Sequence, residues 1–149
     1  MSSVPERILV ILMGALGDVV RGLYIVDAIK RAAPNARITW LVEPACAGIV
    51  RLQANVDEVI VFDRPRGIRA VLSLRKELRA REFDVTLDLQ RHFKSGLFSW
   101  LSRSPRRIGF HRRDAKEMNW IFNTEYVEPQ GEGIALAIRD RLKRAAAGR

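Results

Sequence analysis

The chain carries a single cysteine, Cys46, in 149 residues. It can form no internal disulfide, which suits a reducing compartment, and its simplest use is as a small core residue. Histidines number two, His92 and His111, and neither stands among other ligands at the spacing of a zinc site. The sequence has no Gly-x-Ser-x-Gly elbow and no Gly-Lys-[Ser/Thr] phosphate loop. It also lacks an Asp-x-Asp pair of the kind a metal–nucleotide-sugar site would use, so no metal is indicated. Aromatic residues make up 7%. Beside the basic runs they are too few for a base-stacking platform, and nucleic acid is not an expected partner. No apolar run reaches the ~20 residues of a membrane span. The leader Met1–Arg7 lacks a basic n-region, and the apolar run behind it is too short for a secretory signal. A cytoplasmic location is expected.

What is present is a large apolar fraction, 48%, and a formal net charge of +9. The first is enough for the core of one ordinary domain. The second favours an anionic partner: a phosphorylated or carboxylated substrate, or an acidic membrane face.

The chain is organised around Ile8–Val20. The apolar run Ile8-Leu9-Val10-Ile11-Leu12 reads as a strand buried on both faces, hence one in a parallel sheet. It meets a short turn, Gly14-Ala15-Leu16-Gly17, whose glycines permit positive φ and the close approach of another group. Asp18 follows, at the N-cap or in the first turn of a helix. The turn fits neither the dinucleotide fingerprint nor a Walker loop. Two readings of Asp18 stay open: a cap, or a carboxylate placed to take a proton from a hydroxyl.

The helix after Asp18 buries Val19, Leu23, Val26 and Ile29 on one stripe. Strands are then predicted over 37–42, 58–62, 84–89 and 107–110. Helices are predicted over 45–52, over 68–78 with a stripe of Ile68, Val71, Leu72, Arg75 and Leu78, and through Phe93, Leu97, Trp100 and Leu101. The three tryptophans read as core or domain-edge packing. Strands alternating with helices predict an α/β fold, a doubly wound and mostly parallel Rossmann-like sheet. Its ligands should gather at the carboxyl ends of the strands. That rim would hold residues 13–18, the basic segment Arg64, Arg66 and Arg69, and the polar stretch Asp88-Leu89-Gln90-Arg91-His92-Phe93-Lys94. Guanidinium forks past a strand end could grip phosphates or carboxylates; equally, they could form a solvated face. Gln90 and Lys94 could bond a sugar or a phosphate, whereas His92 alone points to nothing.

The blocks ILVILMGALGDVVRG, ITWLVEP, DEVIVFDR, DLQRHFKSG and PRRIGFHRRDAKEMNWIFNT, in that order, resemble the lipopolysaccharide heptosyltransferases. These are glycosyltransferase family 9 enzymes with two Rossmann-like domains, the GT-B type. The resemblance covers about residues 7–127 and implies an inverting, metal-free transfer of heptose from ADP-heptose to a hydroxyl of the lipopolysaccharide inner core. By resemblance, Asp18 is the general base. Gly14, Ala15, Leu16, Gly17, Gln90 and Lys94 line the substrates, and Arg64, Arg66 and Arg69 meet an anionic acceptor. Arg91 departs from the family, many members of which have Gly there. The resemblance also implies work at the inner face of the inner membrane and an acceptor-binding N-terminal domain over 1–127. Residues 128–149 would form a linker and helical tail, with the donor-binding second domain absent and needed as a C-terminal half. The rival reading is a module that binds an anionic glycolipid or nucleotide without catalysis.

Overall fold

The computed structural model describes residues 5, 7–63, 67–114, 117–127 and 137–143. Strands and helices alternate: β1 Arg7–Ile11, α1 Leu16–Ala32, β2 Arg37–Val42, α2 Pro44–Arg51, β3 Glu58–Val61, α3 Gly67–Ala80, β4 Val85–Asp88, α4 Phe93–Leu101 and β5 Arg106–Phe110. A 3-10 turn, Asn119–Phe122, and β6, Glu125–Val127, follow, and residues 137–143 are helical. The strands form one sheet in the order β3-β2-β1-β4-β5-β6, with every pairing parallel. The chain winds outward from β1 to β3, returns to β4 beside β1, and winds out the other way. The reversal puts a topological switch point, and therefore a crevice, at the carboxyl ends of β1 and β4.

The apolar run predicted to be buried on both faces is so. In β1, Ile8 and Val10 join a cluster with Val19, Val26 and Ile29 of α1 and Val50 of α2. Leu9 and Ile11 point the other way, to Leu74 and Leu78 of α3 and Phe98 and Leu101 of α4. Side chains alternate across a strand, so a solid apolar run supplies two cores at once. The result is three layers, helix–sheet–helix. Ile138 and Leu142, from the helical segment 137–143, are fully buried in the α1/α2 layer. The boundary expected at residue 128 falls where the described residues are interrupted.

The predicted stripe of α3 holds at Val71 and Leu78 and fails at Ile68, Leu72 and Arg75. Leu74 and Leu78 are its buried residues, with Ala70 and Val71 packed beside them, while Ile68 and Leu72 are exposed. The helix carries apolar residues on more than one face, and composition alone did not say which face the sheet covers. Trp40 is core, whereas Trp100 is half exposed. The short β6 went unpredicted, since three residues of Glu-Tyr-Val give little periodicity to read.

Candidate functional site

The turn after β1 is pinned from both sides. The Trp40 indole N–H donates to the Leu12 carbonyl at 2.8 Å, and the Glu43 N–H at the end of β2 donates to the Met13 carbonyl at 3.1 Å. From β4, Gln90 Oε1 accepts the N–H of Met13 at 2.8 Å and of Gly14 at 3.2 Å. Gln90 therefore ties the two strand ends together at the switch point. The two turn glycines do not use positive φ; among the described glycines only Gly67 does. They supply room instead. A Cβ on Gly17 would meet nothing within 4 Å, and one on Gly14 would sit 3.7 Å from Glu43 Oε2.

Ala15 is the N-cap of α1, and no side chain caps the helix. Asp18 lies in the first turn, exposed, with Arg21 at 3.9 Å, one turn on. An exposed pair of this kind contributes little. The reading of Asp18 as a cap is thereby corrected: its carboxylate is not consumed by the helix end. Ala15, Leu16 and Gly17 lie exposed beside it.

Beneath the rim lies a group that the sequence reading named in its polar stretch without giving it a role. Asp88, the last residue of β4, is fully buried. Its carboxylate accepts hydrogen bonds from Ser95 Oγ at 3.1 Å, Asn119 Nδ2 at 2.5 Å and the Gln90 N–H at 3.1 Å. Asn119 also reaches the His92 carbonyl at 2.6 Å, and the His92 and Ser95 side chains form a capping box on α4. The network thus shapes the 89–95 segment that presents Gln90 and Lys94. An acidic residue ending a strand just before Gln was the available signal. Asn119 gave none, because its partners lie far off in sequence.

Burial pushes the Asp88 carboxyl above the usual carboxylate range, and the bonds from Asn119, Ser95 and the Gln90 and Arg91 backbone offset only part of this. The folded state then holds this proton more tightly than the unfolded chain. Asp88 therefore contributes most stability at low pH, and its contribution falls as pH rises from the unfolded carboxylate value through the raised folded one. Urea midpoints of wild type and Asp88→Asn should move apart in the variant's favour as pH rises from about 4 to 7. A difference independent of pH would contradict this.

Gly96 lets the 3-10 turn approach α4. A Cβ there would fall 2.5 Å from Phe122 Cδ2, 2.8 Å from Asn119 Nδ2 and 3.2 Å from the Asn119 carbonyl oxygen. Gly96→Ala should cost about 1–3 kcal/mol, the range for overpacking, read by chemical denaturation. Unchanged stability would mean that the turn yields freely.

Lys94 leaves α4 toward β3. Its Nζ lies 4.3 Å from the centroid of the Phe62 ring and 5.7 Å from that of Phe98, so aromatic faces hold the ammonium near the rim. Phe62 also lines a cleft of about 580 Å³ with Arg69, Asp63 and Ser73. Lys94 thus lies over a ring of the same cleft that Arg69 lines. Arg64 and Arg66 lie outside the described residues. Arg91 has φ of 70°, the left-handed region that glycine adopts without strain. This explains in backbone terms why a glycine suits the position. In its place the Arg91 guanidinium lies 5.5 Å from the Phe110 ring centroid. Among the described residues, no group of three or more His, Cys, Asp or Glu could hold a metal ion.

A doubly wound parallel sheet with an exposed acid at its switch point and a basic rim is one Rossmann-like half of the GT-B architecture. The comparisons agree. The glycosyltransferase family 9 (heptosyltransferase) profile matches residues 71–142. The chain is 30% identical over 118 residues to the lipopolysaccharide core heptosyltransferase OpsX of Haemophilus influenzae, covering 79% of this chain and 34% of that one. It is 27% identical over 113 residues to lipopolysaccharide heptosyltransferase 1 of Campylobacter coli, covering 74% and 32%. Among solved structures it resembles E. coli heptosyltransferase WaaC with ADP, with a TM-score of 0.76 at 24% identity, over 95% of this chain and 47% of that one. A family 9 glycosyltransferase from Veillonella parvula gives 0.77 at 21%, over 92% and 41%. These matches support the glycosyltransferase family 9 heptosyltransferases as the family that this chain resembles. It spans about a third of the length of these curated relatives and less than half of these solved chains.

Proposed function

We propose that this chain is the acceptor-binding half of a heptosyltransferase of lipopolysaccharide core synthesis, which moves heptose from ADP-heptose to an anionic core acceptor with inversion. The acceptor oxygen attacks the anomeric carbon as the bond to the diphosphate breaks, ADP departs, and the acceptor proton passes to Asp18. Lys94 and Arg69, with Arg64 and Arg66, offset the charge of the acceptor and of the leaving diphosphate. The observation that carries this reading is the Asp18 carboxylate. It is exposed at the switch point, unused by the helix end, on a turn that Gln90 and Trp40 hold in place. A module that only bound anions would gain nothing from a carboxylate there, since it repels such ligands.

The donor nucleotide, in this reading, is held largely by a second half. Titrating an inner-core acceptor oligosaccharide into the chain should shift the backbone amides of residues 13–18 and 90–94. Shifts confined to the opposite end of the sheet, near Arg7 and Arg37, would overturn the reading.

A further inference from the structure

Arg91 stands where the backbone and the local field both disfavour an arginine. Its φ of 70° lies in the left-handed region, which strains any side chain and leaves glycine unstrained. It directly precedes His92, the N-cap of α4, and the first turn of that helix holds no acidic residue. A cation there faces the positive end of the helix. Two acids adjoin the segment, and both are engaged. Asp88 accepts bonds from Ser95, Asn119 and the N–H groups of Gln90 and Arg91. Glu117 accepts the Phe93 N–H at 3.3 Å and lies 3.8 Å from His92 Nδ1. Among the described residues the Arg91 guanidinium pairs with no carboxylate. A strained residue at the rim, with nothing local to offset its strain, points to a task outside the fold.

The direction of the side chain indicates the task. The guanidinium lies 5.5 Å from the centroid of the Phe110 ring. Phe110 ends β5 and belongs to the apolar cluster that α1 covers. Lys94, in the first turn of α4, lies over Phe62 and Phe98, which belong to the cluster beneath α3 and α4. One short segment thus sends a cation to each side of the sheet, with the crevice at the ends of β1 and β4 between them. Asp18, in the first turn of α1, is on the Arg91 side. Arg91 is half-buried. The ring holds one face of the guanidinium, and its N–H edge has no acceptor among the described residues. Such a fork matches two oxygens of a phosphate or a carboxylate.

We propose that Arg91 is a specificity-determining residue of the acceptor site, whose guanidinium grips an oxyanion of the acceptor, a phosphate or a carboxylate, on the Asp18 side of the crevice. The inference rests on the reading of this chain as an acceptor-binding half. It adds that the acceptor carries an anionic group on each side of the reacting hydroxyl, one toward Lys94 and one toward Arg91. Glycine at position 91 would supply the same backbone without the second contact.

The test is calorimetric titration of the whole chain with an inner-core acceptor oligosaccharide in three forms: intact, stripped of phosphate, and with its carboxyl groups reduced to alcohols. Arg91→Gly and Arg91→Gln should each bind the intact form about tenfold or more weakly than wild type, the usual worth of a hydrogen bond to a charged group. Each should bind one of the two neutralised forms as wild type does, and that form identifies the anion. Arg91→Lys, which keeps the charge and loses the fork, should fall between. The urea midpoint of Arg91→Gly should equal or exceed that of wild type, because glycine relieves the positive φ. A marked fall in that midpoint would make Arg91 a structural prop for Phe110 and overturn the proposal. So would losses of equal size for all three acceptor forms, or no loss for the intact one. If the amides of residues 13–18 still shift with acceptor, such a failure leaves the acceptor-binding reading standing. An acceptor that moves none of those amides would overturn that reading, and this inference with it.

Discussion

Asp18→Ala is expected to lower heptose transfer by about 100-fold or more in the chain supplied with a second half, with acceptor affinity mostly kept. A factor of 100 is about 2.7 kcal/mol of transition-state stabilisation. The size follows from the role. An attacking hydroxyl must lose its proton as the new bond forms, and a positioned base contributes in that range. Affinity should survive because the carboxylate makes no contribution to holding an anionic acceptor; if anything it repels one. The structural consequences are small, since Asp18 caps nothing and its contact with Arg21 is exposed. A fall in turnover with unchanged stability therefore reports chemistry. Asp18→Asn separates charge from shape and should be as impaired as Ala. Steady-state ADP release at saturating acceptor is the measurement, and an Asp18→Ala enzyme with undiminished turnover would remove Asp18 from the mechanism.

Trp40→Ala should be the most damaging of the core changes considered, at about 3–5 kcal/mol, the usual cost of emptying a large aromatic site. A domain of this size holds only about 5–15 kcal/mol in total. Trp40 is fully buried in the middle of β2. Its ring packs against α1 so closely that a Cβ on Gly22 would lie 3.1 Å from Cη2. Its indole N–H donates to the Leu12 carbonyl, the last group before the Asp18 turn. One side chain thus fixes the seat of α1 and the start of the Asp18 turn. Trp40→Phe keeps most of the packing and removes the donor, and should cost about 1–3 kcal/mol, the penalty for a buried carbonyl left unpaired. Urea denaturation of the three proteins measures both effects. Equal costs for Phe and Ala would mean that packing carries nothing here.

The architecture was legible because it rests on local pattern. Apolar runs such as Ile8–Leu12 state that a strand is covered on both faces, and alternating runs state that the sheet is parallel. The phase of α3 was not legible, because Ile68 and Leu72 are as apolar as the Leu74 and Leu78 that the sheet covers. β6 was missed for want of length. At the site, Asp18 and its turn could be found from one contiguous stretch. Gln90 was found as a rim residue, but its bond to Met13 and Gly14 spans 77 and 76 positions. Asp88 and Asn119 meet across 31 positions. Such partners are set by the fold, and a sequence read in windows cannot pair them. Arg91 shows the converse. Its departure from the family was visible as a letter, but the positive φ that gives the letter meaning appears only in the backbone.

The central claim is that this chain supplies the acceptor side and the base of a two-part transferase. Catalysis of this kind depends on holding two substrates in line, and positioning can account for about 7–11 kcal/mol of the barrier. The most direct measurement is ADP release from ADP-heptose in the presence of an inner-core acceptor, run on the chain alone and on the chain joined to a second half. The account predicts little or no release from the chain alone and acceptor-dependent turnover from the pair, lost in Asp18→Ala. Full turnover by the chain alone, or none by a well-folded pair that binds both substrates, would contradict it.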